Sequence, residues 1–327
     1  MKPPYIVPTM AEIRAIPWNG RVVCSTFAGG GGSSTGYRMA GYRVLWANEF
    51  IPAAQDTYRA NKADYTILDG RDIRQVKGAD IEASIGMSGR DIDIFDGSPP
   101  CAAFSTAGKR EAGWGKVKQY SDTQQRVDDL FFEYARLVRE LQPRTFVAEN
   151  VSGLVKGTAK GYFLEILAAL KACGYRVKAQ VLDAQWLGVP QSRSRLIFIG
   201  VRNDLLTDPV HPTPSQHWYT IRDVAPEIKA ITGRTGSGFL RVPSEVTRPM
   251  NSIMVQDPAQ TRYEVATENG TRRLTISEVK GFCSFPTDYI LTGTYEQQWE
   301  RMGRAVPPLM MKAIAEAVYK EILCRVS

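Results

Sequence analysis

The sequence predicts an α/β fold, a Rossmann-like parallel sheet wound with helices and followed by a small irregular unit. Three observations predict it. Short apolar runs alternate with amphipathic stretches from residue 21 to residue 201, the first run ends in a run of glycines, and the chain turns Pro-rich beyond residue 201.

The apolar runs at 21–27, 43–48, 65–68, 91–96, 145–148, 175–182 and 196–201 read as strands, and helical periodicity fits 34–40, 52–60, 124–141 and 162–173. In the helix at 124–141, Leu130, Tyr134, Leu137, Val138 and Leu141 share one face, the spacing needed to bury against a sheet. Segment 208–215 carries three prolines, and the chain reads as turns up to about residue 271. The expected organisation is therefore a catalytic domain at 1–201, a small domain at 202–271 and a C-terminal segment at 272–327. Helical patterning resumes at Leu274, and 308–325 reads as a terminal helix that returns to the sheet, with Pro308 near its start where a missing N–H is harmless.

A chain of 327 residues with 43% hydrophobic content has room for one substantial core and a smaller one. Its five cysteines are scattered without a Cys-x-x-Cys pair, so reduced thiols and no bound metal are expected. The two histidines, His211 and His217, both lie in the Pro-rich segment, which leaves a Ser-His-Asp hydrolase poorly supplied. A net charge of +7 favours a polyanionic partner, because each neutralised phosphate releases counterions. The first residues lack the apolar run of a signal peptide, and nothing approaches the roughly 20 apolar residues of a membrane helix, so a cytoplasmic protein is expected.

The first strand runs into Phe27-Ala28-Gly29-Gly30-Gly31-Gly32-Ser33. Such a turn lets the backbone approach a ligand and opens a helix whose N-terminus favours negative charge; a plain flexible turn is the other reading. The next strand ends at Glu49, about 20 residues beyond the glycines, where nucleoside-binding folds place an acid on the ribose diol. Asp72, followed by Ile73, suits an adenine amino group or a solvated loop equally well.

Asp96-Gly97-Ser98-Pro99-Pro100-Cys101 sets a cysteine just past the fourth strand, at the edge where open α/β sheets bind ligands. Two prolines stiffen the backbone ahead of it and small neighbours leave it accessible, which favours a reactive thiol over a structural one. Residues 105–126 interleave glycines and Trp114 with cations and read as a mobile cationic flap, or as a surface loop. Glu149-Asn150-Val151 leaves the fifth strand at the same edge. Arg193 and Arg195, two apart on an extended chain, face one side and suit phosphate, a carboxylate, a base carbonyl or a surface ion pair.

In this order, the glycine turn, Glu49, Asp72, Pro99-Pro100-Cys101, Glu149-Asn150-Val151, Gln191-x-Arg193-x-Arg195 and the 303–308 segment resemble the cytosine-C5 DNA methyltransferase family, of prokaryotic or phage type, across nearly the whole chain. The resemblance implies S-adenosyl-L-methionine over the glycine turn, with Phe27 against the adenine, Glu49 on the ribose and Asp72 on the adenine edge. Ala28, Gly29, Gly31, Gly32, Ile73, Pro99, Arg304, Ala305 and Val306 complete the implied cofactor set.

It further implies a cytosine flipped from double-stranded DNA, with Cys101 adding to C6 to make an enamine that takes the methyl group. Glu149 then holds or protonates N3, and Arg193 and Arg195 orient that carboxyl, hold O2 or contact phosphate. Ser105, Gly108, Lys109 and Asn150 are implied on the nucleic acid, and 202–271 becomes a target-recognition domain. That region holds seven Lys or Arg against eight Asp or Glu, so the cationic contacts are expected from the flap, helped by Arg272 and Arg273. A monomer is expected.

Two positions depart from the family, Ala102 in place of Gln and Arg304 in place of Asn. An arginine beside a sulfonium needs an anion: the cofactor's own carboxylate, a protein acid or solvent. A second reading has Arg304 accept a cofactor bearing an extra carboxylate, giving carboxymethyl transfer. Transfer RNA as substrate and a catalytically silent DNA-binding relative are further alternatives; Cys101, Glu149 and both arginines argue against the last.

Overall fold

Seven strands, β1 Val22–Thr26, β2 Arg43–Asn48, β3 Ile67–Asp69, β4 Ile94–Gly97, β5 Thr145–Val151, β6 Tyr175–Asp183 and β7 Ser194–Arg202, form the central sheet of the computed structural model. The structure describes residues 2–100, 118–120, 123–125, 129–234, 240–255 and 262–326. Cys101, Ser105, Gly108 and Lys109 lie outside the described residues, as does most of the 105–126 flap.

The spatial order is β3-β2-β1-β4-β5-β7-β6, with parallel pairing throughout except at β7, which runs antiparallel to both β5 and β6. The connection at 184–193 is too short for the crossover that a parallel strand requires, so the chain turns back on itself. Every residue of β1 and β4 is buried, as expected of central strands covered on both faces.

Alternate residues of these strands feed two cores. Cys24, Phe95, Phe146 and Phe198 pack on one face with the helices Leu130–Leu141 and Lys160–Ala172, and Val23, Ile94, Val147 and Ile197 pack on the other. That second face is covered by the helix Gly32–Met39 and by the terminal helix, Pro308–Glu321. Gly36 permits the contact between those two helices, since a Cβ there would lie 2.5 Å from Pro308 O and 2.6 Å from Met311 Cβ.

Several element ends shift by a few residues from the sequence reading, the terminal helix stopping at Glu321, and two differences are larger. The helix read at 124–141 starts at Leu130, because the preceding residues carry only Val127 as an apolar anchor. The region read as turns contains a four-stranded antiparallel sheet made of Ala230–Arg234, Leu240–Ser244, Arg262–Thr267 and Gly270–Arg273. Its inner residues Ile231 and Val265 join a third core with Met10 and Ile13 near the N-terminus and Phe282, Trp299 and Met302 near the C-terminus. Among the described residues, no helix is long and apolar enough to cross a membrane.

Candidate active site

The chain leaves β1 through a turn that few side chains tolerate. Phe27 has φ 52°, in the left-handed region, followed by Gly29 at 54° and Gly31 at 92°. A bulky residue held there costs energy, and such strain collects at functional sites. The turn forms one wall of a cavity of about 420 Å³ at the C-terminal edge of the sheet, a size suited to a small molecule.

Most of the residues singled out from the sequence meet at this cavity. Phe27, Ala28, Gly29, Gly32, Glu49, Asp72 and Ile73 line it from the first half of the sheet. Pro99, Glu149, Asn150, Arg193 and Arg195 line it from the second half, and Arg304, Ala305 and Val306 close it. Gly31 instead packs on Tyr58 and Tyr289, where a Cβ would meet the Tyr289 hydroxyl at 2.5 Å. Gly32 is needed for a different reason: its Cβ would fall 2.2 Å from Val306 O, so only glycine lets the 304–306 segment approach the start of the helix Gly32–Met39.

Glu49 ties the end of β2 to the turn. Its Oε2 accepts from the Gly29 N–H at 2.7 Å and its Oε1 from the Ile51 N–H at 2.7 Å. Burial pushes this carboxyl above the usual carboxylate range, against the pull of those N–H donors and of Arg301 and Arg304. Each oxygen keeps a second lone pair for a ligand hydroxyl. The Cβ position of Gly29 meets nothing within 4 Å among the described residues, so bare backbone faces the cavity there. A buried acid, exposed turn backbone and apolar walls from Phe27, Ile51 and Val306 fit a nucleoside-bearing methyl donor.

Asp72 is held within a network: it accepts from the Arg74 N–H at 3.0 Å and pairs with the Arg74 guanidinium at 3.1 Å, while Arg74 also reaches Asp129 at 2.6 Å.

At the far wall, Arg195 Nε lies 2.8 Å from Glu149 Oε1, with both side chains largely buried. Asn150 does not reach out toward solvent. Its Nδ2 donates to Pro99 O at 3.1 Å and its Oδ1 accepts from the Val151 N–H at 2.8 Å, so it latches the turn before Cys101 onto β5.

The two arginines do different work. Arg193 spends its guanidinium on main-chain carbonyls, donating to Ile253 O at 3.0 Å, Gly303 O at 2.7 Å and Ala305 O at 3.1 Å. Burial, with Arg195 nearby, pushes it down to about 9. It therefore binds the segment at 253 and the 303–305 segment to the catalytic sheet. The anion that Arg304 requires is supplied by the protein, since its Nε lies 2.8 Å from Glu300 Oε1. Arg272, expected to assist with DNA, is bound to Glu278 by hydrogen bonds of 2.7 and 2.9 Å.

The sequence reading missed Glu300, the 253–255 wall and a buried carboxyl at Asp96. The first was findable, because Glu300 and Arg304 are spaced i, i+4 on a helix. Among the described residues, no group of three or more His, Cys, Asp or Glu side chains is placed to hold a metal ion.

The family model described as C-5 cytosine-specific DNA methylase matches residues 22–248 and 233–320. The chain is 30% identical to the type II methyltransferase M1.HphI of Haemophilus parahaemolyticus, over 90% of this chain and 85% of that protein. It is likewise 30% identical to M.Bsp6I of Bacillus sp. strain RFL6, over 92% of this chain and 99% of that one. In fold it is similar to a DNA modification methyltransferase encoded within an Escherichia coli prophage, with a TM-score of 0.71 at 20% identity, covering 92% of this chain and 99% of the other. With a matched family model spanning most of the chain and a relative 30% identical over nine tenths of it, the chain belongs to the C-5 cytosine-specific DNA methylase family, and its reaction is methylation of cytosine at C5 in DNA.

Proposed function

We propose that the methyl donor is S-adenosyl-L-methionine, seated against the glycine turn and Glu49, and that Cys101 is the nucleophile that adds to C6 of a cytosine swung out of duplex DNA. The observation that carries this reading is the meeting, at one cavity, of the Gly29–Glu49 hydrogen bond with the Glu149–Arg195 pair and the latched Pro99-Pro100 turn. When bound, the donor supplies an electrophilic methyl group on a sulfonium.

The chain's own residues do the rest. Glu49 accepts the ribose hydroxyls, and Phe27 offers its ring to the adenine. Asp72 lies at the adenine edge, with Arg74 fixing its carboxylate. Asn150 holds Pro99, two residues before Cys101 in the sequence, at the C-terminal edge of β4. Thiolate addition breaks the aromaticity of the ring and puts negative charge on it, and Glu149 steadies N3 by holding or sharing a proton there; once C5 has taken the methyl group, loss of the C5 proton expels the Cys101 thiolate and restores the ring. Arg195 fixes the Glu149 carboxylate in one rotamer and sets a positive charge where the ring charge develops. Arg193 is a positioning residue that keeps the 303–305 segment against the donor.

Ser105, Gly108 and Lys109 contact the DNA, and the 202–271 region reads the target sequence. The proposed enzyme works in the cytoplasm and acts as a monomer.

The test uses duplex DNA made with 5-fluorocytosine. Fluorine cannot leave as a cation, so the adduct persists. With S-adenosyl-L-methionine present, the native chain should form a stable protein–DNA complex and Cys101→Ala should form none. An equal complex with Cys101→Ala removes the thiol from the mechanism, and modification of transfer RNA in place of duplex DNA reassigns the substrate.

A further inference from the structure

Asp96 is a carboxyl in the middle of the sheet, 1% exposed. It is joined to three elements that build the site. Ser25, its register partner on β1 and two residues before Phe27, donates to Oδ2 at 2.7 Å. Tyr37, on the helix that opens at Gly32, donates to Oδ1 at 3.1 Å. Asp96 itself stands three residues before Pro99, where the chain enters the cavity wall. On the neighbouring parallel strand its register partner is Val147, so Glu149, two residues further, projects from the same face of the sheet.

The geometry points to Asp96 as a positioning residue for the methyl transfer, its ionised carboxylate fastening the glycine turn to the Pro99-Pro100 turn while facing Glu149. The ionised form accepts from both hydroxyls. Once it is protonated, one oxygen becomes a donor, and the Ser25 or Tyr37 hydroxyl it meets must reverse its role and accept, or give up the bond. Burial pushes Asp96 up to about 7, with the Glu149 charge adding to the rise and the Ser25 and Tyr37 bonds opposing it. The titratable groups that face it are Tyr37 from the helix Gly32–Met39, Tyr58 from the helix Pro52–Asn61 and Glu149 from β5, while Tyr134, from the helix Leu130–Leu141, lies across the sheet on the other face and couples to it only electrostatically. Burial drives the three tyrosines far up, so they stay neutral while Asp96 changes charge.

The experiment is the pH dependence of kcat/KM from roughly pH 5.5 to 9, for the native chain and for Ser25→Ala, Tyr37→Phe and Asp96→Asn. The native profile should rise with pH through an inflection near 7. Ser25→Ala and Tyr37→Phe each remove a donor that favours the ionised form, so each should move that inflection upward by about half a unit or more. Asp96→Asn should lose the inflection and run about tenfold lower at its plateau. A purely structural role lowers the rate at every pH without moving the limb. An inflection unmoved in both hydroxyl variants, or kept in a folded Asp96→Asn, overturns the proposal. If Asp96→Asn does not fold, the hydroxyl variants decide. The proposal rests on the reaction and on Glu149 at the base; failure of the cysteine step is read separately, from the 5-fluorocytosine complex, and leaves these shifts intact.

Discussion

Arg195 reaches Glu149 diagonally across the antiparallel pair β5 and β7, Nε to Oε1 at 2.8 Å, while the direct register partner of Glu149 is Ile197. A carboxylate held this way has one orientation to offer a base. Arg195→Ala should lower kcat about 100-fold or more while the fold persists, in line with the loss of one preorganised charge partner. Arg195→Lys should recover little, because a point ammonium does not reproduce the guanidinium geometry. Glu149→Gln should cost about 100- to 10,000-fold in single-turnover methylation, with donor affinity nearly unchanged.

Arg193 should behave otherwise. Its guanidinium satisfies buried carbonyls of Ile253, Gly303 and Ala305, so Arg193→Ala strands those acceptors. A destabilisation of roughly 3 kcal/mol is expected, seen as a lower Tm and a weaker hold on the donor. A variant that melts like the native chain yet has lost catalysis would place the guanidinium in the chemistry instead.

Gly32→Ala drives a Cβ to within 2.2 Å of Val306 O. The backbone there has no flexible end to give way, so the 304–306 segment must retreat from the cavity. Calorimetry with S-adenosyl-L-methionine should show affinity weakened by at least about tenfold, roughly 1.4 kcal/mol. Unchanged affinity means that the segment does not touch the donor.

Glu300 pairs with Arg304 at 2.8 Å while also facing Arg301 at 3.4 Å, so a protein acid already sits on the arginine and no second carboxylate on the transferred group is called for. Mass spectrometry of the modified base should show 5-methylcytosine alone, even when a carboxylated donor is offered beside the ordinary one. Arg304→Asn should keep methyl transfer, with KM for the donor changed only a few-fold. A carboxymethyl product assigns Arg304 to the transferred group.

The glycine turn, Glu49 and the Pro99-Pro100-Cys101 segment are legible in sequence because their chemistry is local: a turn, a strand end and a stiffened loop. Glu149 and Arg195 are legible as site residues, yet their pairing depends on the register of β7. The carbonyls that occupy Arg193 lie 60 to 112 residues away in sequence, which no local pattern reveals. Asp96 left one trace, a carboxylate inside the apolar run 94–97, where a strand covered on both faces should be nearly continuous in hydrophobic residues. The sheet at 230–273 stayed hidden because the core that Ile231 and Val265 enter is completed from both ends of the chain.

The most direct test of the central claim is bisulfite sequencing of DNA from cells expressing the native chain or Cys101→Ala. The account predicts protected cytosines at a recurring sequence with the native chain and full conversion with the variant. The same protected pattern in both would contradict a mechanism that runs through Cys101.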